Sequence, residues 1–314
     1  MCDVVALGEL LIDFIPAGGG EDEPCLKAMA GGAPGNFAAA AQAYGLQSAL
    51  ISKVGKDAFG DLLVSRFAKL GVETRGIVQD DHVFTTLAFV TLAEDGDRAF
   101  SFARKPGADT CLSVNECDFT LIEACKLFHF GTLSLTHEPA RTATKAAIAY
   151  AKEQGKMISF DPNLRIPLWD SLDEAREQIL WGLGQADIVK ISDDEVGFLF
   201  GCGVEEGAAR IVEDYGAKLV FVTCGPQGCY FAGIQVRGRV EAPPVQAVDT
   251  TGAGDIFFGA AVSRLLKQEK EIVLLSADEL CKVARFSCTA ASLSTKKHGG
   301  ISSIPAESDV MAYL

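Results

Sequence analysis

A chain of 314 residues, 48% hydrophobic and 22% charged, has the composition of a soluble globular protein and enough length to bury a sizeable core. Its net charge of −14 argues against a nucleic-acid-binding surface and against an anionic membrane, while leaving room for a small positive pocket that takes an anionic substrate. No apolar stretch is long enough to span a bilayer, no signal peptide precedes Asp3-Val4-Val5, and ten cysteines are scattered without a CxxC spacing, so free thiols in a reducing cytoplasm are expected.

Residues 12–30, with Gly18-Gly19-Gly20 and an acidic cluster, stand outside any helical rhythm. Phe37 to Tyr44 reads as a helix closed by Gly45 and followed by the short apolar run Ala49-Leu50-Ile51. Leu62 to Leu70 ends likewise at Gly71. Residues 83–104 alternate as two short strands, Phe84 to Leu92 and Arg98 to Phe102, around Glu94-Asp95-Gly96-Asp97; Asp-Gly between such runs is a hairpin signal. Leu127-Phe128-His129-Phe130 reads as a strand buried on both faces, with His129 a satisfied core residue. Ala140 to Gln154 is closed by Gly155 and leads into Met157-Ile158-Ser159-Phe160. After the buried run Ile188-Val189-Lys190-Ile191, Ile211 to Tyr215 is closed by Gly216 and leads into Leu219-Val220-Phe221-Val222. Glycine suits each closing position because it enters the left-handed region cheaply. Helices alternating with doubly buried strands predict an α/β fold, and the strands outside that rhythm predict a small separate sheet serving as a lid.

Walker A, GxGxxG, HExxH and GxSxG patterns are all missing. Three phosphate-compatible stretches remain. In Thr250-Thr251-Gly252-Ala253-Gly254-Asp255, small residues before an apolar helix let backbone N–H groups converge on an anion. A carboxylate aimed at the same anion needs a task, such as taking a proton from an attacking hydroxyl. A tight turn with Asp255 as helix cap is the competing reading. Thr223-Cys224-Gly225-Pro226-Gln227-Gly228 follows a buried strand, where open α/β sheets bind ligands, though ordinary turns look the same. Gly31-Gly32-Ala33-Pro34-Gly35-Asn36 allows close backbone approach to a ligand, or else is a loop with Asn36 as N-cap.

Together, GGAPGN near one end and DTTGAGD near the other resemble the ribokinase-like carbohydrate kinases, the PfkB family. The likeness runs over essentially the whole chain, through Gly8-Glu9-Leu10-Leu11-Ile12-Asp13-Phe14 and Val54-Gly55-Lys56-Asp57-Ala58-Phe59-Gly60. It continues in Phe102-Ala103-Arg104-Lys105-Pro106-Gly107-Ala108-Asp109 and Asp161-Pro162-Asn163-Leu164-Arg165, stretches most like those of fructokinases.

The resemblance implies a single three-layer α/β/α domain over residues 1–314, with a mostly parallel sheet and lid segments at about 12–30 and 83–104. It implies transfer of phosphate from ATP to fructose, with 2-keto-3-deoxygluconate or ribose as alternative substrates; a non-catalytic scaffold on the same fold is the alternative of another class. Asp255 would be the general base, and Gly252, Ala253 and Gly254 the anion hole. Asp13, Gly31, Gly32, Asn36, Phe102, Arg104, Asp161 and Arg165 would serve the sugar, with Arg104 or Arg165 available to a keto-acid carboxylate. Lys190, Ser192, Thr223, Gly225 and Gly228 would serve the nucleotide. Glu195 would hold Mg²⁺ through water, although Ser192 departs from the family's N-x-x-E. Asp249, Thr251, Gly299 and Ser303 would form a loop for a monovalent cation such as K⁺. The partners implied are a sugar and ATP, with a homodimer formed through the lid; nucleic acid and membrane are not among them.

Overall fold

The computed structural model describes residues 2–19, 23–92 and 98–314. The expected turn Glu94-Asp95-Gly96-Asp97, and Gly20 of the triple glycine, lie outside the described residues. The strands in chain order are β1 (Val4–Leu7), β2 (Leu11–Gly19), β3 (Pro24–Gly31), β4 (Ser48–Gly55), β5 (Ile77–Asp80), β6 (Thr86–Leu92) and β7 (Arg98–Ala103). They continue with β8 (Leu127–Gly131), β9 (Met157–Asp161), β10 (Ile188–Ser192), β11 (Leu219–Thr223), β12 (Cys229–Gly233) and β13 (Arg237–Val240).

Among the described residues one sheet takes the order β13-β12-β11-β10-β9-β8-β1-β4-β5. It is parallel from β11 to β5, and β12 and β13 extend it antiparallel at one edge. Side chains alternate across a strand, so each strand feeds two cores. Val5, Leu7, Phe128, Phe130, Val220 and Val222 pack on one face. Val4, Ala6, Leu127, Leu219 and Phe221 pack on the other. The helices Ala140–Glu153, Leu172–Leu183 and Val204–Tyr215 cover the first face; Ala33–Ala43, Ala58–Lys69, Ala253–Leu266 and Ala277–Ser294 cover the second. Helix, sheet and helix make the expected three layers. The closing residues Gly45, Gly71, Gly155 and Gly216 all have positive φ, as a left-handed helix end requires.

The smaller sheet has the order β3-β2-β6-β7, with β2–β3 and β6–β7 antiparallel and β2–β6 parallel. Its strands come from the described parts of both stretches that broke the helical rhythm. Phe14 stacks on Phe89 (5.2 Å between ring centres) and meets Phe59 edge-on, tying this sheet to the helix Ala58–Lys69. His129 is a core residue: it stacks on Phe37 at 3.7 Å, its Nδ1 lies 3.0 Å from Ser159 Oγ, and burial pulls its pKa down to about 3. The ten cysteines are free thiols. No helix among the described residues is long and apolar enough to cross a membrane.

Candidate active site

The chain order reverses beside β1, which lies between β8 and β4. In open α/β sheets such a reversal leaves a crevice outside the carboxyl ends of the strands. Here Glu9 follows β1, Leu133 follows β8, Asn163-Leu164-Arg165 follow β9, Ser192 ends β10 and Thr223 ends β11. All of them line one cavity of about 730 Å³. The small sheet borders it with Leu11, Asp13 and Phe102, and the DTTGAGD stretch with Thr250, Thr251, Gly252, Gly254 and Asp255.

Asp255 is no cap. Its helix starts at Ala253 after Gly252, whose φ of 75° is left-handed, and no side chain caps that end. The carboxylate turns across the molecule instead, where Asn36 Nδ2 donates to Oδ2 at 2.8 Å. This bond links residues far apart in sequence because two helices pack at backbone distance. A Cβ on Gly259 would lie 2.6 Å from Phe37 O and 2.7 Å from Ala40 Cβ, so only a glycine facing an alanine-rich helix permits the approach. Asn36 is accordingly not an N-cap. Its helix Ala33–Ala43 starts after Gly32, and Asn36 lies inside it, with Nδ2 given to Asp255 and Oδ1 left without a protein partner beside the cavity. Burial pushes the Asp255 carboxyl above its ordinary range, opposed by Lys190, the Asn36 bond and Arg165.

The cradle is narrower than the motif suggests. Ala253 N–H donates to Thr250 O at 3.2 Å and closes the turn, while Gly252 and Gly254 border the cavity. Beneath it, Lys190 Nζ lies 3.1 Å from both oxygens of Asp161, with both side chains buried. A Cβ on Gly254 would come within 2.8 Å of that ammonium, so the glycine is what lets Lys190 reach the cradle. Asp161, Glu195 and Asp255 all hold the Lys190 pKa up against the cost of burial. Asp161 is paired with Lys190 and does not itself line the cavity.

Glu195 and Ser192 form a capping box on the helix Asp193–Phe200. Ser192 Oγ accepts Glu195 N–H, and Glu195 Oε2 accepts Ser192 N–H at 2.8 Å. Glu195 Oε1 also accepts Leu164 N–H at 2.7 Å, which ties the DPNLR loop to this helix. Serine in place of asparagine therefore preserves the cap. Asn163, in the same loop, takes a φ of 45°, a left-handed conformation that asparagine tolerates.

Several expected residues lie elsewhere. Arg104 does not border the cavity: Nε and Nη2 reach Asp109 Oδ2 at 2.8 and 2.6 Å, Nη1 donates to Thr136 Oγ1, and Nη2 also to Leu133 O. It is a buried structural cation. Arg104→Ala should cost about 3–5 kcal/mol in denaturant unfolding, because Asp109 is left as a buried unpaired charge. Gly225 and Gly228 shape the turn after β11 without bordering the cavity. Gly31 lies under the Asp13 carboxylate, whose Oδ2 would be 2.0 Å from a Cβ there. Burial pushes the Asp13 pKa up to about 7 against the pull of Arg165. Asp249 gathers part of the expected cation loop, accepting Thr251 N–H at 2.8 Å and Gly299 N–H at 2.9 Å, whereas Ser303 Oγ donates to Gly300 O. Glu9 was not singled out from sequence, yet it is a buried carboxyl on the cavity wall.

Fold and site define a phosphotransferase that acts on an alcohol group: a cavity at strand ends, a helix N-terminus facing it, and a buried carboxylate beside both. Residues 1–307 match the model of the pfkB family of carbohydrate kinases, and the chain belongs to that family. It is 42% identical to fructokinase-1 of Zea mays over 315 residues, covering 99% of this chain and 97% of that one. Its fold matches the ATP-bound fructokinase of Xylella fastidiosa with a TM-score of 0.90 at 29% identity, covering 99% and 98% of the two chains. The fructokinase of Vibrio cholerae O395, solved with fructose, ADP and calcium, matches at 0.89 and 30% identity over 100% and 99%.

Proposed function

We propose that this chain transfers the γ-phosphoryl group of ATP to fructose, giving ADP and fructose 6-phosphate. The observation that carries the reading is Asp255, a buried carboxylate fixed by Asn36 at the mouth of a small-residue helix start. Asp13 and Asn36, with the backbone of Gly32, hold the sugar hydroxyls, Gly31 leaves room for the Asp13 carboxylate, and Phe102 of the lid closes over them. Asp255 takes the proton of the attacking hydroxyl as its oxygen bonds to phosphorus and the bond to ADP breaks. The N–H groups of Gly252 and Gly254, the helix N-terminus and Lys190 receive the charge that develops on the transferred group. Ser192 and Thr223 form the nucleotide side, backed by the turn that Gly225 and Gly228 shape, and Arg165 balances phosphate charge.

Mg²⁺ accompanying ATP supplies charge neutralisation at the phosphates. Glu195 would hold it through water, since each of its oxygens accepts one backbone N–H and keeps a second lone pair. A K⁺ ion would take backbone carbonyls of the loop that Asp249 ties together, a loop packed on the cradle: a Cβ on Gly252 would be 2.7 Å from Gly300 Cα. The proposal extends to a homodimer paired through the outer strands of the lid, β3 and β7, which light scattering tests, and to a reducing cytoplasm, for which the ten free thiols speak.

The sugar side favours a neutral polyol. Glu9 and Asp13 border it, and Arg104, one of the two cations considered for a keto-acid carboxylate, is committed to Asp109. A coupled ADP-release assay on fructose, ribose and 2-keto-3-deoxygluconate should show kcat/KM for fructose at least about tenfold above the others. Equal turnover of the keto acid would overturn the fructose assignment. A folded protein that ADP stabilises but that turns over no sugar would point to the scaffold reading.

A further inference from the structure

Glu9 sits in the turn after β1 and is only 2% exposed, yet it lines the cavity next to Asp13 and Asn36. Its Oε1 accepts Ala33 N–H at 2.8 Å. Besides its own backbone N–H, no other hydrogen bond from a described residue reaches this carboxyl. A buried acid with unused capacity on a cavity wall is costly unless a ligand completes it.

We propose that Glu9 is a specificity-determining residue of the sugar site, a buried side chain on the cavity wall that hydrogen-bonds a hydroxyl of the sugar. The inference rests on the sugar-kinase reading above. A hydroxyl both donates and accepts, so a donor at Glu9 beside an acceptor at Asp13 satisfies a polyol from two sides. An acidic sugar would bring a third carboxyl to the same wall.

The groups facing Glu9 explain why the proton stays. Burial is the main cause, and Asp109 adds repulsion. Arg104 and the N–H of Ala33 at a helix start pull the other way, and Arg104 is already engaged by Asp109. Asp13 shares the cavity wall. The balance pushes the Glu9 pKa up to about 8, so the donor is present at neutral pH and lost as pH rises through that value.

The test is the pH profile of KM in the whole enzyme and two variants. In the wild type, KM for fructose should rise about tenfold between about pH 7.5 and 9.5 while KM for ATP stays level. Glu9→Gln keeps a donor that cannot ionise; its fructose KM should be about two- to fivefold higher at pH 7 but flat over the same range. Glu9→Ala should raise fructose KM about tenfold or more at pH 7 and KM for ATP less than about twofold. A Glu9→Gln profile parallel to the wild type, with unchanged melting temperature, would assign the titration to another group and overturn the proposal. So would a folded Glu9→Ala with wild-type fructose KM. If fructose is inert and another neutral sugar is phosphorylated, the fructose assignment fails and the same comparison on that sugar decides Glu9.

Discussion

Asp255→Asn is expected to lower kcat by about 10²–10⁴-fold, the range for losing a positioned general base. The substitution is nearly isosteric, and its amide oxygen can still accept from Asn36 Nδ2, so the helix contact survives. Sugar and nucleotide affinity should stay within about threefold in equilibrium titrations, separating loss of chemistry from loss of binding. Stability should move the other way. The folded-state pKa of Asp255 is raised, so its contribution is fully present below the unfolded-state value and is lost as pH rises through the folded one. Asparagine removes that loss. The variant should therefore melt at or above the wild-type temperature at pH 8, with the difference shrinking toward pH 4. Wild-type turnover in this variant would remove Asp255 from the mechanism. A lower melting temperature at pH 8 would show that its charge stabilises the fold.

How far the sequence carried depended on whether a feature was local. Helix ends at Gly45, Gly71, Gly155 and Gly216 were legible because a left-handed residue leaves a signature within one turn. The doubly buried strands were legible because both their faces are apolar. The cradle was legible as small residues before a helix, but not the bond from Ala253 N–H to Thr250 O that closes its turn. Asn36 could not be told from an N-cap, since its partner lies on the helix Ala253–Leu266 and their contact depends on Gly259. Arg104 looked available because the turn that returns Asp109 to it is invisible in a string. Glu9 stands in the stretch Gly8 to Phe14 but not among the predicted site residues for the same reason: the Ala33 N–H that its carboxyl accepts lies 24 residues away. Ser192-Asp193-Asp194-Glu195 is the opposite case. S-x-x-E before a helix is a local capping signal, and only comparison with N-x-x-E made it look like a departure.

Lys190→Met should be the second most damaging change, and two losses can be told apart in it. The side chain keeps its length but not its charge, which leaves Asp161 buried without a cation. Unfolding should become about 3–5 kcal/mol easier. Turnover should fall about 10²–10³-fold, because a preorganised positive group beneath the cradle is gone. The double variant Lys190→Met, Asp161→Asn removes the stranded charge, so it should regain most of the stability and little of the turnover. The pH profile supplies the sharper test. Lys190 is the strongest influence opposing the burial of Asp255, and without it the Asp255 pKa climbs further above the carboxylate range. A base works only when deprotonated, so the acid limb of kcat must shift to higher pH in Lys190→Met, and residual activity must grow as pH is raised. An unmoved limb, with stability lost as expected, would leave Lys190 as a purely structural partner of Asp161 and take it out of the charge balance that keeps Asp255 ready to accept a proton.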